Sequence, residues 1–445
     1  MGKYFGTDGV RGRANDSLTP ELALAVASAA ARVLAAHDGS HRPVAVVGRD
    51  PRVSSEMLEA AVVAGLTAAG ADVRLVGVVP TPALAFLTQH YGADVGVMLS
   101  ASHNPMPDNG IKLFARGGVK LPDDIEAEIE SEIESGWRTD RPTGAQIGRV
   151  SQAGDGAAAY TAHLLAVSPV SLAGLRVVLD CAHGAASGVG GDLLRAAGAE
   201  VTVIAGSPDG VNINDGVGST HIGHLAGVVV EQGADLGIAL DGDADRCLAV
   251  DHLGAVVDGD QILAICAQAL QADGALAEDT VVATVMSNLG FHQAMAAAGI
   301  KVLTTAVGDR YVLEALTGHG LSLGGEQSGH VIFTDAATTG DGLLTALRLM
   351  AQVARTGRPL AELAAVVHRL PQVMVNVRVA DKDAVARSAE VQAAVDAAVA
   401  ELGESGRILL RPSGTEQLVR VMVEAGTQDG AEQLAHRVAE VVRSA

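Results

Sequence analysis

Aromatic residues make up only 2% of this 445-residue chain, with one tryptophan, four tyrosines and five phenylalanines. That leaves no stacking platform for single-stranded nucleic acid, and a formal net charge of −21 repels phosphate backbones. Nucleic acid is therefore excluded as a partner. Cysteine is scarce as well: Cys181, Cys247 and Cys266 are well separated, form no C-x-x-C pair, and point to reduced thiols in the cytoplasm. Long apolar runs are missing. The most apolar stretch, 22–36, is short for a bilayer and contains Arg32; it places Leu22, Val26, Ala29 and Val33 on one face of a packed helix. The start, MGKYFGTDGVRGR, has no apolar core after its basic residue and does not read as a signal peptide. No membrane partner is expected.

Several familiar motifs are absent too. The only Gly-Lys pair is Gly2-Lys3, so there is no Walker A loop, and the glycines around Gly188 and Gly190 lack the third glycine of a dinucleotide fingerprint. No G-x-S-x-G elbow accompanies any serine, which disfavours acyl transfer.

What is present is apolar and repetitive. Apolar residues reach 48% and mean hydropathy is +0.28, carried mostly by alanine and valine, enough for buried sheets and helices. The length suggests about three or four compact units. A weak repeat marks three helix ends, at Ala69-Gly70-Ala71, Ala197-Gly198-Ala199 and Ala298-Gly299-Ile300. An apolar strand and a helix precede each glycine stop and another strand follows, so three successive βαβ segments are predicted. From about Leu370 the texture changes to QVMVNVRV, a long alanine-rich helix, RILLRPSGTEQLVRVMVEA and a closing helix, which reads as a smaller α+β domain. The expected fold is α/β: three related mixed-sheet domains plus the smaller C-terminal domain, around a central cleft. The expected boundaries are 1–148, 149–255, 256–369 and 370–445.

Each α/β unit emits one polar loop. Ser102 follows the strand GVMLS within SASHNP, in a small-residue context that suits a nucleophile and equally suits a plain turn serine. Asp241, Asp243 and Asp245 alternate after DLGIAL, so an extended loop would turn all three carboxylates to one point. Such a cluster repels itself unless a cation compensates, and oxygen ligands with room for phosphate favour magnesium; the alternative is a solvated acidic turn. An EF-hand fails, because Arg246 and His252 stand where it needs glycine and glutamate. Glu326, Ser328 and His330 alternate in a glycine-flanked loop and offer partners to a polyol. Arg411, Ser413, Gly414 and Thr415, with Arg420 on the next apolar segment, are suited to gripping a phosphate dianion and equally suit a polar hairpin turn.

At this point the chain resembles the α-D-phosphohexomutase family, over essentially its whole length and in the family's order. FGTDGVRG, SASHNPMPDNGIKLF, DGDADR, GEQSGH and RPSGTE stand where that family carries its N-terminal, phosphoserine, metal, sugar and phosphate motifs. SASHNP, NGIKLF, VGDRYV and GEQSGH look most like the branch acting on glucosamine phosphates for cell-wall precursors. The resemblance implies a cytoplasmic isomerase that interconverts glucosamine 6-phosphate and glucosamine 1-phosphate through phospho-Ser102 and a bound 1,6-bisphosphate. It implies one Mg2+ per site on Ser102, Asp241, Asp243 and Asp245, and hexose 1,6-bisphosphate as activator. Glu326 and Ser328 would choose the sugar, and Arg411, Ser413, Gly414, Thr415 and Arg420 would anchor the phosphate that is not reacting. Arg11, Lys112, Arg246 and His330 would complete the catalytic set. Ala244 stands where glycine is common in the metal loop, and Gln417 where proline is common. A homodimer is left open. The rivals are a phosphomannomutase or phosphoglucomutase of the same family, a metal-dependent sugar phosphatase, and a non-enzymatic acidic ion-binding module.

Overall fold

In a computed structural model, residues 3–6, 8–36, 41–135, 137–168, 171–413 and 416–445 are described. They divide into two compact units, Met1–Met286 with Ile300–Val366, and Ser287–Gly299 with Val367–Ala445.

The first unit repeats one sheet plan three times, because the sequence repeats one strand-helix-strand plan. Strands Asp72–Val78, Val44–Arg49 and Val95–Leu99 lie in that order and are parallel, and Asp108–Ala115 pairs antiparallel with the last. The same arrangement recurs as Glu200–Ile204, Arg176–Asp180, Leu236–Leu240 and antiparallel Cys247–Asp251. It recurs again as Lys301–Thr305, Thr280–Thr284, Leu323–Gly325 and antiparallel Val331–Phe333. The three sheets are mixed, as expected. In each, the loop between the third parallel strand and its antiparallel neighbour is the polar loop singled out above: Ser102, the three aspartates, and Glu326 to His330. The three polar loops therefore sit at the carboxyl ends of equivalent strands, where open α/β sheets gather ligands.

Local chemistry explains the repeats. Helices Val53–Ala68, Gly190–Ala196 and Leu289–Ala297 all stop at a glycine with positive φ, at Gly70 (93°), Gly198 (104°) and Gly299 (72°). Glycine accepts that left-handed turn without a Cβ clash, which lets the chain reverse into the next strand. Val95–Leu99 is buried along its whole length, the pattern of a strand covered on both faces. In the first sheet's core, Val47, Val97 and Leu99 pack with Leu58, Val62 and Leu66 of one helix and Val26 and Ala29 of helix Pro20–Ala36. Each fully buried Val or Leu contributes roughly 1.5–3 kcal/mol. Leu58→Ala would cost about 2–5 kcal/mol in that core.

The second unit has an antiparallel sheet in which Leu418–Glu424 lies between Gln372–Arg378 and Arg407–Pro412, backed by helices Ala389–Leu402 and Gln428–Ser444. The expected long alanine-rich helix is broken. Ser388 caps Ala389–Leu402 through its side chain, and a separate turn of helix, Lys382–Ala386, precedes it. The strand RILL also runs further than expected, through Arg411 and Pro412.

Candidate active site

Ser102 lies where strand Val95–Leu99 ends, 1% exposed, with φ +53°. Its Oγ donates to Asp241 Oδ2 at 2.5 Å, which brings the first and second polar loops together. Gly242 permits the approach: a Cβ there would lie 2.6 Å from the Ser102 carbonyl oxygen.

Asp241, Asp243 and Asp245 are all buried, and one oxygen from each lies within 4.8 Å of the others. The alternation is right but the loop is not extended. Ala244 turns it, with φ +56° and its N–H donating to Asp241 O (3.0 Å), so alanine holds a left-handed conformation that glycine would take more cheaply. Charge on the cluster is unevenly compensated. Lys112 Nζ lies 2.9 Å from Asp243 and 3.2 Å from Asp245, and Thr81 Oγ1 donates to Asp243 (2.6 Å). Asp243 is accordingly held well below the usual carboxylate range, Lys112 and Thr81 outweighing burial. Asp241 goes the other way: burial, then Asp245 and Asp243, push its carboxyl far up. Asp243 Oδ1 and Asp245 Oδ1 are buried without a hydrogen-bond partner among the described residues. Buried, mutually repelling oxygens without donors fit a hard divalent cation.

A chain of alternating charges leads away from the cluster. Lys112 also meets Asp8 (2.9 Å); Asp8 meets Arg11 (2.5 Å) and Lys120 (2.7 Å); Lys120 meets Asp309, whose carboxylate lies 3.7 Å from His330 Nε2. Burial would raise Asp8, but Lys112, Lys120 and Arg11 hold it well below its ordinary value. His330 is 3% exposed, and neither ring nitrogen has a hydrogen-bond partner among the described residues. Arg246 donates its backbone N–H to Asp241 (3.2 Å), while its Nε is unpartnered and lies 3.9 Å from Asp245. His103 beside Ser102 is lowered to about 4 by burial, then by Arg246 and Arg11, so it is neutral at physiological pH.

In the third loop, Glu326 accepts from Gly308 N–H (3.1 Å) and Gln327 turns back toward Asp258 (3.4 Å), bracing the turn. Ser328 Oγ is shielded and has no hydrogen-bond partner among the described residues. In the second unit, Arg411 and Arg420 face each other directly across the hairpin. Burial and the neighbouring Arg420 lower Arg411, while Arg420 itself has Glu416 3.9 Å away. Ser413 is buried and its Oγ accepts from Glu416 N–H (3.3 Å). Gly414 and Thr415 lie outside the described residues.

The loops of the first unit thus bring together Ser102, Arg11, Lys112, the aspartates and Arg246, with His330 at the far end of the charge chain. Sequence reasoning missed Asp8, Thr81, His103, Lys120 and Asp309, and the pair Asp50 and Arg52. Asp8 and Asp309 stood inside quoted motifs, FGTDGVRG and VGDRYV; nothing local to Thr81 or Lys120 signals a site.

A serine-aspartate cluster on three repeated mixed sheets belongs with phosphoryl-transfer proteins, and family comparison agrees. Models of the phosphoglucomutase/phosphomannomutase family match in succession: α/β/α domain I at residues 2–139, domain II at 158–254, domain III at 258–370 and the C-terminal domain at 374–441. The chain belongs to this family. Over 442 residues it is 64% identical to the phosphoglucosamine mutase of Saccharopolyspora erythraea, covering 99% of each chain, and over 451 residues 63% identical to that of Streptomyces avermitilis, covering all of both. A solved phosphoglucomutase/phosphomannomutase family protein of Burkholderia thailandensis superposes with a TM-score of 0.84 at 25% identity, over 99% of this chain and 97% of that one. The N-acetylphosphoglucosamine mutase of Aspergillus fumigatus, solved with GlcNAc-6P and magnesium, shares the fold at 19% identity, with a TM-score of 0.71 over 99% and 95%.

Proposed function

We propose that the protein is an isomerase interconverting glucosamine 6-phosphate and glucosamine 1-phosphate, the phosphoglucosamine mutase reaction, with Ser102 as the phosphoryl carrier. The observation that carries this reading is the buried Ser102 Oγ set on Asp241 of a carboxylate cluster. The name shared by relatives above 60% identity over the full length supports the choice of sugar.

In the first transfer, the P–O bond to Ser102 Oγ breaks and a bond to the C1 oxygen of glucosamine 6-phosphate forms. The C1 hydroxyl proton passes to the imidazole of His330, because Lys112 is held as an ammonium by Asp243, Asp8 and Asp245 and has no lone pair to take it. The bound 1,6-bisphosphate then reorients, its 6-phosphoryl returns to Ser102 Oγ, and the C6 oxygen takes up a proton. Asp241, Asp243 and Asp245, with an oxygen of phospho-Ser102, would hold one Mg2+, which supplies charge neutralisation for the transferring group. Arg246 and Arg11 add positive charge of their own. Glu326 and Ser328 take the sugar hydroxyls. Arg411, Ser413 and Arg420, with Gly414 and Thr415, take the phosphate that is not reacting. The substrates are small phosphosugars, hexose 1,6-bisphosphate is the activator, and the product feeds amino-sugar nucleotide synthesis for the cell wall. We place the enzyme in the cytoplasm and keep four domains at 1–148, 149–255, 256–369 and 370–445. No helix among the described residues is long and apolar enough to cross a membrane.

The test is an assay of purified protein with glucosamine 6-phosphate, magnesium and a trace of glucose 1,6-bisphosphate. Glucosamine 1-phosphate should accumulate, with kcat/KM at least tenfold above that for glucose or mannose phosphates, about 1–3 kcal/mol of contact selectivity. Release of inorganic phosphate instead would make the protein a phosphatase. Equal ratios for the three sugars would leave only the family.

A further inference from the structure

Asp50 and Arg52 sit between strand Val44–Arg49 and helix Val53–Ala68, and both side chains are 0% exposed. Burying a full ion pair is costly unless nearly every donor and acceptor is used. Here nearly all are. Arg52 Nε donates to Asp50 (2.9 Å), Nη1 to Pro105 O (3.0 Å), and Nη2 to both Ser102 O (3.0 Å) and Asn104 O (2.9 Å). Asp50 accepts from Ser100 Oγ (2.7 Å), Ser55 Oγ (2.8 Å) and Arg52 N–H (3.0 Å). Ser100 Oγ in turn accepts from Ser102 N–H (3.0 Å). From the other side, Asn214 Nδ2 donates to Ser102 O (2.9 Å) and Asn104 O (3.1 Å).

Both peptide groups flanking Ser102 are therefore gripped, and the residue they grip is a non-glycine in the left-handed region, a conformation that persists only where its surroundings over-determine it. We propose that Arg52, set by Asp50 and assisted by Asn214, is a positioning residue that holds Ser102 in this conformation and aims its Oγ at the carboxylate cluster for phosphoryl transfer. The pair does more than start a helix, since three of the guanidinium's four bonds go to the loop that carries the nucleophile. The inference rests on the reading of Ser102 as the carrier.

The experiment compares wild type, Arg52→Lys and Asn214→Ala. Arg52→Lys keeps a charge beside Asp50 but loses the fork that reaches three carbonyls. Asn214→Ala loosens the same Ser102 and Asn104 carbonyls without stranding a charge, and so decides the matter if Arg52→Lys does not fold. Two quantities are read: steady-state kcat and KM, and the rate at which glucose 1,6-bisphosphate phosphorylates Ser102, followed by intact mass. Small misplacement of a reacting group costs up to about a hundredfold. We expect both kcat and the phosphorylation rate to fall about ten- to hundredfold in each folded variant, with KM within about twofold of wild type. Wild-type kcat in folded variants that merely melt earlier, or a change confined to KM, overturns the positioning role. A wild type that neither interconverts the sugar phosphates nor takes up phosphate on Ser102 overturns the underlying reading and the inference with it, and that result shows before any variant is made.

Discussion

Ser102 Oγ and Asp241 Oδ2 lie 2.5 Å apart, although 139 residues separate them in the chain. The contact joins the first and second sheets at the atom proposed to carry phosphate. Ser102→Ala removes that atom and changes little else, so mutase turnover should vanish while the melting temperature stays near wild type. Intact mass should show no phosphorylated fraction. Turnover above a few per cent of wild type would be incompatible with a phosphoserine carrier.

The aspartates should respond unequally. Asp243 is paired with Lys112 and Thr81, so Asp243→Asn takes from the buried ammonium one of its three carboxylates and should destabilise the metal-free protein by about 1–3 kcal/mol. Relief of repulsion belongs instead to Asp241, whose carboxyl is pushed up by its neighbours; Asp241→Asn should raise the melting temperature without magnesium. Both variants should need more magnesium for activity. Melting curves with and without the metal, beside a magnesium titration of turnover, check the pair; identical melting behaviour in the two variants would contradict the uneven compensation.

His330 packs against Gly340 so closely that a Cβ there would lie 2.4–2.6 Å from three ring atoms. Gly340→Ala must push the imidazole aside. Because φ is not positive at Gly340, backbone strain does not confuse the result. Turnover should fall at least tenfold, with binding of the phosphosugar less affected. An alanine variant with wild-type kcat would show that the ring position does not matter.

Arg411 and Arg420 stand opposite each other across the hairpin of the second unit, and Arg420 Nε has no hydrogen-bond partner among the described residues. Removing one cation relieves repulsion in the empty protein and weakens the anion site. Arg411→Ala should therefore raise KM for phosphosugars several- to a hundredfold, about 1–3 kcal/mol, with stability unchanged or slightly improved. A KM equal to wild type would take this hairpin out of the phosphate site.

Asp341 gives a pH dependence. Burial pushes its carboxyl up to about 6, against the lowering effect of hydrogen bonds from Leu344, Tyr160 and Leu343. Between about pH 4 and pH 6 the folded chain keeps a proton that the unfolded chain has lost, so this group's stabilising contribution is complete below about pH 4 and is lost as pH rises through about 6. The total is on the order of 3 kcal/mol. Urea unfolding at pH 4, 5, 6 and 7 should show wild type losing stability relative to Asp341→Asn over that window, with the difference level above it. A constant difference would assign the carboxyl an ordinary pKa.

Much of this was legible in one dimension. Three Ala-Gly helix stops announced the repeated βαβ plan because only glycine takes the left-handed stop cheaply, and the polar loops stood out because they interrupt apolar strands. Arg411 and Pro412 were read as loop residues and proved to be strand, since a strand's end depends on its partner's register rather than on its own residues. Lys120 and Asp309, 189 residues apart, were invisible because nothing in either segment records the other.

The sequence by itself determined the α/β class, the family and the clustered aspartates, and singled out Ser102 as the proposed carrier, all of which rest on local patterns of residue type and spacing. Tertiary structure decided which charges compensate which. Lys112 goes to Asp243 and leaves Asp241 to Arg246 and Ser102; Arg52 is spent on the Ser102 loop; Asp8 links Lys112 to Lys120. Electrostatic energy depends on distance and burial in three dimensions, and neither quantity is written in the order of the residues.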